Sequence, residues 1–64
     1  MLTEQYYVIY DLHDNLECFI LNIDELSLYT GLRKKDINYK FKNTNNDYIL
    51  YRDNNVNKKI YCFN

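Results

Sequence analysis

The segment NIDELSLYTGLRKKDINYKFK, residues 22–42, decides the fold, because the residue pattern changes from strand to helix at its start. Asn22 followed by Glu25 fits a helix N-cap with an acidic residue three positions later. Acidic side chains in the first turn also suit the helix dipole. Leu26 continues the apolar face, and Gly31, the only glycine of the chain, is predicted to end this helix.

A second helix is predicted over residues 33–42. Ile37 and Phe41 lie four positions apart and can therefore share one apolar face. The opposite face carries polar side chains, namely Lys34, Lys35, Asn38 and Lys42.

On both sides of this helix pair the sequence is rich in β-branched and aromatic residues, which favour strands. Four strands are predicted over residues 5–11, 16–22, 47–52 and 58–63, joined within each hairpin by polar turns at 12–15 and 53–57. Asparagine tolerates the left-handed conformation that turns require and replaces the missing glycine there. The sequence thus predicts one α+β domain over residues 1–64 with the order ββααββ, made of a hairpin (5–22), a helix pair (23–42) and a hairpin (47–63).

Strand alternation leaves the buried face of the sheet undecided. In the first strand Tyr6, Val8 and Tyr10 share one face, and Tyr7 and Ile9 share the other. The returning strand alternates in the same way, with Leu16, Cys18 and Ile20 on one face and Glu17, Phe19 and Leu21 on the other. Both faces carry apolar groups, so the pattern does not indicate which one meets the helices.

Charge is segregated along the chain, although the net charge is only −1. Residues 1–32 contain six acidic side chains and no Lys or Arg, whereas residues 33–64 contain all eight basic side chains and three acidic ones. We expect an acidic and a basic surface on opposite parts of the molecule. No apolar run approaches the roughly 18 residues of a membrane span, and the start MLTEQYY has no secretory signal, so a cytoplasmic protein without membrane contact is expected.

Residues 24–42 resemble a helix-turn-helix motif. Small and apolar residues stand where the motif needs them, at Leu26, Ser27, Gly31, Leu32, Ile37 and Phe41. The chain departs from the motif at Arg33, in place of a Ser or Thr cap, and at Lys40, in place of a late apolar residue. The resemblance implies an exposed face for phosphates and base edges formed by Arg33, Lys34, Lys35, Asn38 and Lys42, which the hairpin residues Arg52, Lys58 and Lys59 would extend. The alternative is an ordinary packed helix pair with solvated lysines.

As a whole the chain resembles small accessory proteins of phages and mobile elements, on the opening strand YYVIYD, the helix pair ELSLYTGL…INYKF and a short closing hairpin. Some of these resemble anti-CRISPR or other anti-defence inhibitors. The resemblance implies a non-enzymatic protein that binds a host protein or protein–nucleic-acid complex stoichiometrically. A DNA-binding regulator is the alternative, and a homodimer through exposed strand edges is a further possibility. Most of the eight tyrosines are expected in the sheet core and in cross-strand pairs.

Cysteine and histidine give no strong signal for chemistry. Cys18 and Cys62 are expected to be free thiols, with a disulfide between the two hairpins as the less favoured alternative. His13 lies in a polar turn, and the spacing of the three residues matches no zinc site. We therefore expect no enzyme activity and no cofactor.

Overall fold

The chain forms two helices and four strands in the predicted order ββααββ. The computed structural model describes residues 5–64 of the predicted domain, and residues 1–4 lie outside the described range. The elements are β1 (Tyr6–Asp11), β2 (Leu16–Ile20), α1 (Ile23–Thr30), α2 (Lys34–Asn43), β3 (Tyr48–Asp53) and β4 (Val56–Phe63). The α+β fold class predicted from the sequence is confirmed.

Both helix boundaries of α1 are set by the residues that the sequence singled out. Asn22 Oδ1 accepts a hydrogen bond from the backbone N–H of Glu25 at 2.9 Å, which satisfies one free donor of the first turn. Gly31 adopts the left-handed conformation with φ of 77°, and its N–H donates to the Ser27 carbonyl at 2.8 Å. Helix α2 begins one residue later than predicted because Arg33 is extended and its side chain makes no cap.

The two hairpins join into one antiparallel sheet with the strand order β2-β1-β4-β3. The first and last strands pair at its centre, from Tyr6 opposite Phe63 to Asp11 opposite Lys58. Strands β2 and β3 are therefore the two edges. Helices α1 and α2 cover one face of this sheet, and the other face has no covering layer among the described residues.

The core lies between the helices and the covered face. Ile9, Leu26, Ile37 and Ile60 are completely buried. The rest of the buried cluster is Tyr7, Ile20, Ile49 and Tyr51. The buried face of the sheet, which strand alternation left undecided, is thus the face that carries Tyr7 and Ile9.

A β-bulge in β2 changes the predicted alternation. Cys18 lies opposite Ile9, but Leu16, instead of Glu17, lies opposite Tyr10. Residues directly opposite each other share a face, so Leu16 joins the uncovered face with Phe19. The assignment of Leu16 to the face of Cys18, and of Glu17 to the face of Phe19, was therefore wrong.

The second hairpin turn is shorter than predicted. It consists of Asn54 and Asn55, with φ of 51° and 66°, between the paired residues Asp53 and Val56. Two left-handed residues form the turn that matches the twist of a two-residue hairpin. Asparagine replaces glycine here as expected. In the first hairpin Asp14 has the left-handed conformation, with φ of 64°.

Substitution Gly31→Ala tests the helix stop. A Cβ atom at this position would meet no atom within 4 Å, so the cost is the backbone conformation alone. We expect the free energy of unfolding to fall by about 1 kcal/mol, measured by urea denaturation. Gly31→Asn is the control and should cost less, because asparagine tolerates this conformation. Equal stability of Gly31→Ala and wild type would show that α1 does not need a left-handed residue to end.

Candidate binding surfaces

The uncovered side of the sheet is rich in aromatic side chains. We call it the open aromatic face. It is formed by Tyr6, Val8, Tyr10, Leu16, Phe19, Tyr48, Leu50, Arg52, Lys59, Tyr61 and Phe63, which alternate with the core residues and lie opposite one another across the strands. Several of these side chains remain accessible, with 63% of Leu16, 56% of Phe19 and 46% of Leu50 exposed.

The aromatic rings of this face form a row across three strands. Tyr6 stacks between Phe19 and Phe63, with centroid distances of 5.1 and 5.3 Å and interplanar angles of 24° and 22°. Phe63 in turn stacks on Tyr61 at 6.1 Å. These offset stacks are a favoured arrangement of aromatic pairs and hold the row in one conformation.

The row ends in a cluster around Tyr61. Tyr10 meets Tyr61 edge to face at 5.4 Å, and Tyr48 packs at the same distance from the opposite strand. Of the eight tyrosines, six lie on strands as core residues or cross-strand partners, which confirms that expectation. Tyr29 and Tyr39 lie on the helices and are 49% and 68% exposed.

Two cations lie on the open aromatic face, and they differ in their partners. Lys59 Nζ binds the Asp14 carboxylate at 3.0 Å and lies 5.1 Å from the Tyr48 ring centroid. The hydrogen bond with Asp14 raises the pKa of Lys59. Arg52 is exposed and has no carboxylate within ion-pair distance among the described residues.

The predicted basic face of the second helix is present but partly neutralised. Arg33 Nε binds Asp36 at 2.9 Å, and Lys34 pairs with Asp24 of α1. Both pairs are exposed, so each adds little stability. On α2, Lys35 and Lys42 have no carboxylate partner among residues 5–64, and Asn38 is exposed on the side away from the buried Ile37. Lys40, which departs from the helix-turn-helix pattern, is also without such a partner among these residues.

The structure does not bring the three hairpin residues to this helix face. Arg52 and Lys59 project from the open aromatic face, on the opposite side of the sheet from α2. Lys58 precedes Lys59 in β4 and points to the covered side, opposite the core residue Tyr51. The predicted extension of the basic face by Arg52, Lys58 and Lys59 therefore does not form one patch with α2 in this fold.

Lys58 belongs to a half-buried polar cluster at the turn end of the sheet. Its Nζ lies 2.6 Å from Glu17 Oε1 and 3.3 Å from Asp53 Oδ2, with only 15% of the side chain exposed. The hydrogen bond with Glu17, ahead of that with Asp53, raises the pKa of Lys58 far above its usual value. The bulge in β2 is what directs Glu17 to this side of the sheet.

Tyr51 lies beside this cluster with an unsatisfied hydroxyl group. Its Oη is buried and has no hydrogen-bond partner among the described residues. Burial, and next the neighbouring Tyr29 hydroxyl, raises the pKa of Tyr51 to about 12. The group is therefore held neutral in the folded protein well into the alkaline range.

Folding brings the two oppositely charged halves of the sequence together. Three ion pairs join an acid of residues 1–32 to a base of residues 33–64: Asp24 with Lys34, Glu17 with Lys58, and Asp14 with Lys59. The acidic and basic halves are therefore not fully separate surfaces, because part of the charge of each is neutralised by the other.

Cys18 and Cys62 are free thiols, as expected. They lie on β2 and β4, which are separated by β1, so the strands that carry them are not neighbours. Burial raises the pKa of the Cys62 thiol. Within residues 5–64, no group of three His, Cys, Asp or Glu side chains is arranged to hold a metal ion. None of the described helices has the length and hydropathy needed to cross a bilayer.

Substitution Tyr51→Phe tests the buried hydroxyl group. Above pH 10 the unfolded chain loses the Tyr51 proton while the folded protein keeps it. Titration of this group therefore leaves the stability of the wild type unchanged below pH 10 and lowers it as the pH rises from 10 toward 12. We expect Tyr51→Phe to be up to about 1 kcal/mol more stable at pH 7 and to lose less stability between pH 9.5 and 11, measured by urea denaturation. Tyr39→Phe removes a solvent-exposed hydroxyl and should leave stability at pH 7 unchanged. A destabilised Tyr51→Phe would mean that the hydroxyl has a partner in solution.

No protein family, curated protein or solved structure matches this chain significantly. Its surfaces are therefore assigned from their own chemistry. The open aromatic face and the outer face of α2 carry the exposed groups that a binding site needs.

Proposed function

We propose that the protein acts without catalysis, by stoichiometric binding of a protein partner to the open aromatic face. The observation that supports this proposal is the row of stacked rings, with Phe19 and Phe63 exposed and Tyr6 and Tyr61 partly exposed, on a sheet face that no described element covers. A two-layer α/β domain normally buries its apolar sheet face against the helices and keeps the other face polar. Here the second face is aromatic as well, and large exposed apolar patches mark interaction sites.

The geometry of the rings favours a protein over a nucleic acid on this face. Stacked rings turn their faces toward each other, which leaves mainly ring edges and the outer face of Phe19 for a ligand. Bases that bind to a sheet need free ring faces on which to stack. The charges agree, since Lys59 is neutralised by Asp14 and a nucleic acid needs several free cations for its phosphates.

For the class of partner, we propose a nucleic-acid-handling protein of a host cell, such as a component of a CRISPR-type defence complex. The proposal for this class comes from the resemblance to small phage and mobile-element proteins. Rigid aromatic side chains suit such an inhibitor, because tyrosine and phenylalanine give large contact area at a low cost in side-chain entropy.

The double variant Phe19→Thr with Phe63→Thr tests the surface. Threonine keeps β propensity while it removes both rings that flank Tyr6. We expect the variant to lose its partner in pull-down from a nuclease-treated bacterial lysate, and affinity for the purified partner to fall by at least about 30-fold, the effect of a hot-spot residue.

The matched control is Leu28→Gln, which removes an apolar side chain that is 86% exposed on α1, away from the open aromatic face. It should keep wild-type affinity. Equal binding by the double variant and wild type would contradict the proposed surface, and partners recovered only when the nuclease is omitted would contradict a protein target.

A DNA-binding regulator is the second candidate, and the free lysines of α2 favour it. Lys35, Lys42 and Asn38 are exposed together on the outer side of the helix, and the two lysines have no carboxylate partner among the described residues. Such a face suits phosphate contacts at the edge of a groove.

Salt dependence tests this second candidate. If α2 contacts DNA, binding to a mixed-sequence duplex weakens steeply with salt, and Lys35→Ala with Lys42→Ala lowers the slope of log K against log[salt] by about 2. Arg52→Ala, on the other side of the sheet, should leave the slope unchanged. The absence of any mobility shift at low salt would rule out the regulator.

A further inference from the structure

Strand β3 is an edge of the sheet with a regular ladder on its inner side. Its six residues pair with β4 without interruption, from Tyr48 opposite Tyr61 to Asp53 opposite Val56. The other edge, β2, is shorter and carries the bulge at Glu17. Bulges protect an edge from pairing, whereas a regular edge is a template for another strand.

The backbone of β3 turns alternate residues outward. In a two-residue hairpin the residues that flank the turn, Asp53 and Val56, exchange both hydrogen bonds. Counting back from Asp53, the N–H and C=O groups of Arg52, Leu50 and Tyr48 therefore point away from β4. The Tyr48 carbonyl confirms this orientation, because it accepts a hydrogen bond from Thr44 Oγ1 at 3.0 Å. Leu50 and Arg52 are left as the open part of the edge.

A groove of 340 Å³ runs along this edge. Its walls come from the end of α2, the loop that follows and the beginning of β3, and they include Lys40, Asn43, Thr44, Tyr48 and Leu50. Helix α2 lies on one side of the sheet, whereas the Tyr48 and Leu50 side chains project from the other side. A groove lined by both α2 and these two residues must pass around the outer edge of β3. An added strand would lie in that position.

The charges along this edge are positive and uncompensated. Lys40 lines the groove from α2, and Arg52 lies further along β3 on the side of the open aromatic face. Neither has a carboxylate within ion-pair distance in the described part of the chain. The two acids of this edge lie at its ends, since Asp47 precedes the strand and Asp53, its last residue, pairs with Lys58. An occupant with carboxylates over Lys40 and Arg52 is thus complementary to the edge.

We propose that the β3 edge binds an extended, acidic segment of a partner protein as a fifth strand of the sheet. Main-chain hydrogen bonds to Leu50 and Arg52 supply affinity, and the two cations select acidic side chains. A second copy of this chain fits less well, because symmetric pairing centred on Leu50 sets Asp47 opposite Asp53 at both ends, and like charges directly opposite are destabilising. This site is separate from the ring row of Phe19, Tyr6 and Phe63.

Amide hydrogen exchange followed by NMR, with the capped heptapeptide Thr-Glu-Glu-Thr-Glu-Glu-Thr as the probe, tests the proposal. Neighbouring glutamates of an extended strand point to opposite faces of the sheet, so one of each pair faces the side of Lys40 and the other the side of Arg52. We expect the peptide to protect the amides of Leu50 and Arg52 and to leave those of Ile49 and Tyr51, already bonded to β4, unchanged. This alternation is a mark of strand addition that side-chain contact alone does not produce. The same peptide with lysine in place of glutamate should bind at least about tenfold more weakly.

The variants Lys40→Glu and Lys35→Glu form a matched pair on one helix. Lys40→Glu is expected to lower affinity for the acidic peptide by about fivefold, and Lys35→Glu, on the outer side of α2, by less than twofold. The double variant of Phe19 and Phe63 should bind the peptide as wild type does, which separates this site from the proposed partner surface. Three results would overturn the proposal: no protection at millimolar peptide, equal binding of the lysine peptide, or protection that appears without peptide as protein concentration rises.

Discussion

The pairing of the first strand with the last is the interaction on which the rest of the structure depends. Six residue pairs from Tyr6–Phe63 to Asp11–Lys58 join β1 to β4 at the centre of the sheet. A two-stranded hairpin alone is marginally stable in water. The central pairing makes one four-stranded sheet from two hairpins, gives the helices a surface to cover, and fixes β2 and β3 as the edges.

Coverage of this sheet on one side creates the surfaces available for binding. A helix pair of 8 and 10 residues buries Tyr7, Ile9 and Ile60 but has no counterpart on the other face among the described residues. The aromatic residues left there partly cover each other by stacking, and Val8 beneath them is only 6% exposed. The uncovered face is therefore a second, thin apolar layer as well as the proposed binding surface. Residues at its rim, such as Phe19, are more accessible to a partner than residues at its centre.

Local features were predictable from the sequence, whereas the contacts between distant segments were not. Asn22 and Gly31 act through hydrogen bonds and backbone angles within their own helix, so their roles can be predicted from a few neighbouring residues. The bulge in β2 depends on the partner strand, and no nearby residue signals it. The open aromatic face was predictable only in part. Tyr6, Val8 and Tyr10 show that one strand is apolar on both sides, but only the position of the helices decides which side stays open.

Charge illustrates the same difference between sequence and tertiary structure. The acidic half and the basic half of the chain meet across the sheet, since Lys58 and Glu17 are 41 positions apart in sequence and 2.6 Å apart in space. The basic groups that remain without a carboxylate among residues 5–64 are the ones that the tertiary structure places away from β2 and the first turn, such as Lys42 and Arg52. Electrostatic attraction of a ligand depends on these remaining charges, because a cation already paired with a carboxylate has little net field at the distance of an approaching partner. The electrostatic field that an approaching ligand would meet therefore follows from which ion pairs the sheet topology forms, more than from the charge counted along the chain.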